Sequence, residues 1–129
     1  MGGRRREGEL KRSIPRWSWI VAAVAWTVAS VAFLWMPPPD HPPSVPIPDK
    51  LIHFVLFFGI GLAWHRGVGR PWYVLAAVVV LGALTEIVQG MLPWPRSPDA
   101  ADLVADAVGA GVAIFASVRL SPKSSTAAR

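Results

Sequence analysis

The sequence predicts an all-α membrane protein: four transmembrane helices in an up-down bundle, with both termini cytoplasmic. Three observations predict it. The 129 residues are 53% hydrophobic and only 16% charged, where a soluble domain carries about 25% charged residues. The apolar residues gather into four runs, Trp17 to Met36, Leu51 to Trp64, Trp72 to Leu92 and Ala107 to Leu120. A hydrocarbon core about 30 Å thick takes about 20 helical residues, fewer where polar ends flank the run. Finally, eleven of the thirteen Lys and Arg residues stand before the first run, between the second and third, or at and beyond the end of the fourth. The positive-inside rule makes that side cytoplasmic.

The same numbers exclude several classes. With no cysteine, disulfides, thiolate catalysis and Cys-ligated metal are ruled out. A net charge of +5 and a pI near 10.8 would suit a nucleic-acid binder, but orientation accounts for the charge. No basic face with interleaved aromatics remains, so no nucleic-acid partner is expected.

Taken in order, residues 1–16 form a basic cytoplasmic tail beside anionic headgroups. The first span, about 17–36, is longer than the 7 to 15 apolar residues of a signal peptide. It ends in Phe33-Leu34-Trp35-Met36, a poor cleavage site, and is therefore expected to be retained. The Pro-dense connection from Pro37 to Pro48 reads as a polyproline II-like strap on the outer side. The second span covers about 49–66, and Gly67 and Gly69 make a short inner turn. Pro71 suits the first turn of a third span over about 71–92, which stops before Pro93 and Pro95. Asp99 or Asp102 can cap a fourth span over about 101–120, and residues 121–129 form a second cytoplasmic tail. Six of the seven tryptophans fall near expected span ends, where an indole meets both lipid and water; Trp26 is the exception. Ala105, Gly109, Ala113 and Ser117 recur every four residues, a stripe that permits close helix packing.

The informative residues are polar ones inside apolar runs. Asp49 and His53 share a face of the second span beside Lys50. Glu86 and Gln89 are three apart in the third, and Asp99, Asp102 and Asp106 form a stripe leading into the fourth; Arg96 lies in the connection before it. At about 1.5 Å per residue, His53 lies one turn below its outer helix end and Glu86 roughly 9 to 10 Å from its own. Asp106 is comparably deep. An acidic side chain facing lipid at mid-helix costs about 2.5 to 3.5 kcal/mol. These groups should therefore face inward and line a polar pocket that opens outward. Asp49, Glu86, Asp99, Asp102 and Asp106 outnumber Lys50 and Arg96, so either some carboxyls are protonated or a cation enters. The plainer alternative is interhelical glue, worth about 0.6 kcal/mol per hydrogen bond, with Asp49 and Asp102 as helix caps.

At these residues the chain resembles the VanZ-like family of small membrane proteins. Asp49-Lys50-x-x-His53-Phe54 opens one span, Glu86-x-x-Gln89 closes the next, and Arg96 precedes Asp102-x-x-x-Asp106-x-x-Gly109. The resemblance covers about residues 49–115 and implies a four-span domain over 17–120. The family commonly carries asparagine where this chain has Asp106, which makes the present site more acidic. The family takes its name from low-level resistance to the glycopeptide teicoplanin. The resemblance implies a role at the outer leaflet in envelope or antibiotic response.

Three functions follow from the residues and the resemblance. The first is non-enzymatic binding of an envelope lipid, lipid-linked glycan, glycopeptide or other amphiphile. Asp49, Lys50, His53, Glu86, Gln89, Arg96, Asp102 and Asp106 would bind the ligand, with Arg96, Lys50 and His53 donating to phosphate or carboxylate. The second is an intramembrane enzyme acting on a lipid-linked phosphate or ester, with Glu86, Asp106 and His53 as acid–base candidates. The third is proton-coupled transport or lipid flipping. Membrane lipids are the expected partners. No cofactor is expected, a divalent cation on oxygen ligands being the alternative. The sequence leaves the oligomeric state open.

Overall fold

A computed structural model describes residues 14–121 apart from residues 43, 46 and 96. Most of both expected tails, and the candidate Arg96, lie outside the described residues. The described chain is all-helical: α1 (Arg16–Leu34), α2 (Asp49–Val68), α3 (Pro71–Met91) and α4 (Ala100–Leu120). All four are long and apolar enough to cross a membrane, with mean hydropathies of 1.4 to 2.0.

Local chemistry sets the helix ends. α1 stops at Leu34, two residues short of the expected Met36; Pro37 disfavours helical backbone in the residue before it. α2 continues to Val68, two residues past the expected limit. Gly69 ends it in the left-handed region at φ 74°, its N–H returning to the His65 carbonyl at 2.8 Å, a conformation that glycine adopts without strain. Pro71 then opens α3, where its missing N–H is no loss. Asp99 caps α4 by accepting from the Ala101 N–H at 2.8 Å.

Each helix buries one stripe at helical spacing. On α3 this is Val74, Val78, Gly82, Thr85, Glu86 and Gln89; on α4 it is Asp102, Asp106, Gly109, Ala110, Ala113, Ile114 and Ser117. α2 sits centrally, touching the other three helices, and its most extensive contact is with α4. Phe57 and Ile60 of α2 centre an apolar core completed by Leu34, Val74, Val78, Ala110 and Ile114. The small-residue stripe of α4 is what lets α2 come close. A Cβ on Gly109 would overlap the Phe54 carbonyl, and one on Gly61 would lie 2.8 Å from the Ala110 Cα. Lipid tails are as apolar as the core, so this close packing rather than water exclusion holds helices together in a bilayer.

The mid-span exception, Trp26, has a packing role. Its indole covers Gly59 and donates to the Leu56 carbonyl at 3.0 Å, tying α1 to α2. Trp64 donates back to the Thr27 hydroxyl at 3.0 Å. Contacts between α2 and α4 ascend together in residue number, pairing Lys50 with Asp99, His53 with Asp106 and His65 with Ser117. Between α1 and α2 they run in opposite order, from Arg16–Val68 to Trp26–Leu56. The outward faces carry exposed Val24, Phe33, Val55, Leu84, Val108 and Phe115.

Candidate functional site

Three helices contribute one side chain each to a buried polar cluster. His53 of α2 and Asp106 of α4 are 0% exposed and Glu86 of α3 is 6% exposed. His53 Nδ1 and Asp106 Oδ1 are hydrogen-bonded at 2.8 Å, and Glu86 Oε1 stands 3.8 Å from the same nitrogen. Each is held from behind. The imidazole stacks on Phe57 one turn along α2, ring centroids 6.4 Å apart. Glu86 Oε2 accepts the Asp99 backbone N–H at 3.0 Å, which ties α3 to the cap of α4. Asp106 fits because α3 presents Gly82: a Cβ there would lie 2.8 Å from Oδ2.

Above this floor lies a more exposed rim. Lys50 Nζ reaches Asp99 Oδ2 at 2.9 Å and Asp102 Oδ1 at 3.5 Å. Asp49 is exposed, with a carboxylate oxygen within 4.8 Å of ligating atoms of His53 and Asp102. The Lys50 ammonium beside Asp99, helped by the Ala101 N–H, holds the Asp99 carboxyl below the ordinary aspartate value. Asp49, Asp99 and Asp102 all occupy N-terminal turns, where unpaired N–H groups and the helix dipole favour carboxylates. Capping, with the Lys50 ion pair beside it, accounts for Asp99. It does not explain His53, Glu86 and Asp106.

The floor carries an electrostatic cost. His53 Nε2, Glu86 Oε1 and Asp106 Oδ2 are buried without a hydrogen-bond partner among the described residues. More than nine in ten buried polar groups find a partner, and each that does not costs about 1 to 3 kcal/mol. With Asp102 Oδ1, also buried without a hydrogen bond and 3.5 Å from Lys50 Nζ, four such atoms gather in one place. With Nδ1 engaged by Asp106, the imidazole is oriented and Nε2 is left as its unengaged nitrogen. No hydroxyl among the described residues hydrogen-bonds to it.

The structure thus brings together His53, Glu86 and Asp106, with Lys50, Asp49 and Asp102 above them. Gln89 is placed differently. Its amide donates to the Leu34 carbonyl at 3.0 Å, at the C-terminal end of α1. Where the sequence predicts a cup open to the outside, Asp49 and Lys50 are exposed and Asp99 is half-buried, while Asp102 is covered along with His53, Glu86 and Asp106. A second polar group, unforeseen from the sequence, occupies the opposite end: the Ser117 hydroxyl accepts from Arg66 Nε at 2.9 Å and can donate to His65 Nδ1 at 3.0 Å. Its signal was the pair His65-Arg66 at a span end; Ser117 reads only as a spacer in the small-residue stripe. An apolar cleft of about 390 Å³, lined by Thr27, Ile60, Trp64, Tyr73 and Val78, lies among α1, α2 and α3. No protein-family model matches the chain, nor does any curated protein or solved structure.

Proposed function

We propose that the chain is a VanZ-like, multi-pass membrane protein whose extracytoplasmic end binds the polar head of an envelope lipid, lipid-linked glycan or amphiphilic antibiotic. The observation that carries this reading is the junction of His53, Glu86 and Asp106, contributed by three spans and buried with unpartnered polar atoms. Groups that costly are retained where a ligand completes them. Lys50 on the rim, with Arg96 in the neighbouring connection, supplies donors for phosphate or carboxylate. Asp102, Asp106 and Glu86 accept from sugar hydroxyls or orient those donors. The apolar outward faces leave the acyl part of such a ligand in the surrounding bilayer.

Orientation follows from charge. Arg16, Arg66, Arg70 and Arg119 gather at the end opposite the cluster, and the positive-inside rule assigns that end to the cytoplasm. The ascending α2–α4 contacts and the opposed α1–α2 contacts support an up-down bundle. The test is genetic and direct. Deleting the gene shifts susceptibility to teicoplanin or another envelope-directed amphiphile. The wild-type gene restores it, and Glu86→Gln at equal abundance does not. Unchanged susceptibility in all three strains contradicts the proposal.

A further inference from the structure

We infer that His53, Glu86 and Asp106 form a binding site for a divalent transition-metal ion. The three residues offer one imidazole nitrogen and two carboxylate oxygens, all within 4.8 Å of one another. Neighbouring ligands on a tetrahedral ion with bonds of about 2.0 to 2.2 Å stand about 3.4 Å apart. The Nδ1–Oδ1 distance of 2.8 Å and the Nδ1–Oε1 distance of 3.8 Å bracket that value. An ion can therefore replace the proton between His53 and Asp106 after small side-chain rotations. Glu86 Oε1 is the independent sign of a ligand. It is buried, faces the imidazole, and makes no hydrogen bond among the described residues.

Charge favours the same occupant. Two carboxylates and a neutral imidazole cancel a 2+ ion, leaving a neutral site where net charge is expensive to bury. Lys50 does not perform this service, because its ammonium is engaged by Asp99 and Asp102 at the rim. A mixed nitrogen–oxygen set without thiolate suits Mn²⁺, Fe²⁺ or Zn²⁺ better than Cu⁺ or Mg²⁺. The supports already described, the Asp99 N–H on Glu86 Oε2 and the Phe57 ring against His53, orient the ligands from outside. Three protein ligands leave positions for water or for an oxygen of a bound headgroup. The metal site goes beyond the headgroup reading and does not depend on it.

The test uses the full chain in detergent micelles, stripped with a chelator and exposed separately to Mn²⁺ and Zn²⁺ without added amphiphile. Bound metal is measured after gel filtration, and affinity by calorimetry. One ion per chain is expected, with affinity falling about tenfold or more in Glu86→Gln and in Asp106→Asn and unchanged in Asp40→Asn, a substitution in the exposed connection before α2. Wild-type chain loaded with Mn²⁺ should also show nitrogen modulation in pulsed electron spin resonance, a readout that needs no variant to fold. Negligible metal, or no nitrogen modulation, overturns the proposal and leaves a proton as the occupant. Loss in Asp49→Asn with retention in Glu86→Gln also overturns it, by placing the ion at the rim. A null susceptibility phenotype bears only on the headgroup reading.

Discussion

Asp99 performs three tasks with one residue: its backbone N–H holds Glu86, one carboxylate oxygen caps α4, and the other meets Lys50. Because its carboxyl is held below the ordinary value, the ion pair contributes above that value and is lost as pH falls through the folded-state one. Asp99→Asn keeps a capping oxygen and removes the charge. The stability difference between wild type and Asp99→Asn, followed by unfolding in micelles, should stay flat from about pH 7 to about pH 5. It should disappear in stronger acid; a difference that vanishes already near neutrality would contradict the assignment. At this scale the sequence was partly legible. The i, i+4 and i, i+3 spacings placed His53, Asp102 and Asp106 on inward faces, because burial of charge leaves few other solutions, whereas Asp49, expected beside them, is exposed at the first turn of α2. Gln89 was not legible, since nothing local reveals that the end of α1 presents its Leu34 carbonyl to it.

Among elements, the α2–α4 seam is where backbones come closest. Gly109 and Gly111 lie two residues apart, about 200° around α4, and should respond oppositely to alanine. At Gly109 a methyl overlaps the Phe54 carbonyl, a backbone atom on a packed helix; at Gly111 it meets nothing within 4 Å. Gly109→Ala should destabilise by about 1 to 3 kcal/mol through overpacking. Gly111→Ala should be neutral or stabilise by up to about 1 kcal/mol through helix propensity. Unfolding in a common detergent checks both, and equal effects would contradict the seam. The stripe of small residues announced a close contact on α4. It did not say with which helix, because every neighbour in a four-span chain offers apolar surface. The start of α3 was readable because Pro71 enforces it, whereas the ends at Leu34 and Val68 lie two residues from the expected limits.

At the scale of the whole molecule, hydropathy and length marked four spans because a bilayer admits few alternatives. The meeting of three spans at one point is a tertiary fact, visible in the sequence only as ionisable groups at similar depth. The covered floor and the group of His65, Arg66 and Ser117 at the opposite end needed coordinates. Sidedness has a clean assay, since the chain has no cysteine. Asp40→Cys and Ser97→Cys should react with an impermeant thiol reagent in intact cells, and Arg70→Cys only after permeabilisation. The reverse pattern would place the cluster on the cytoplasmic side and contradict the positive-inside reading.

The central claim is that His53, Glu86 and Asp106 act as one unit across three helices, and a double-mutant cycle tests it most directly. His53→Gln is combined in turn with Asp106→Asn and with Glu86→Gln, and unfolding is measured in the same micelles. Groups sharing one buried network should couple by about 0.5 to 3 kcal/mol in both cycles. Additivity within about 0.3 kcal/mol in both would mean three unrelated polar residues, and would contradict the account.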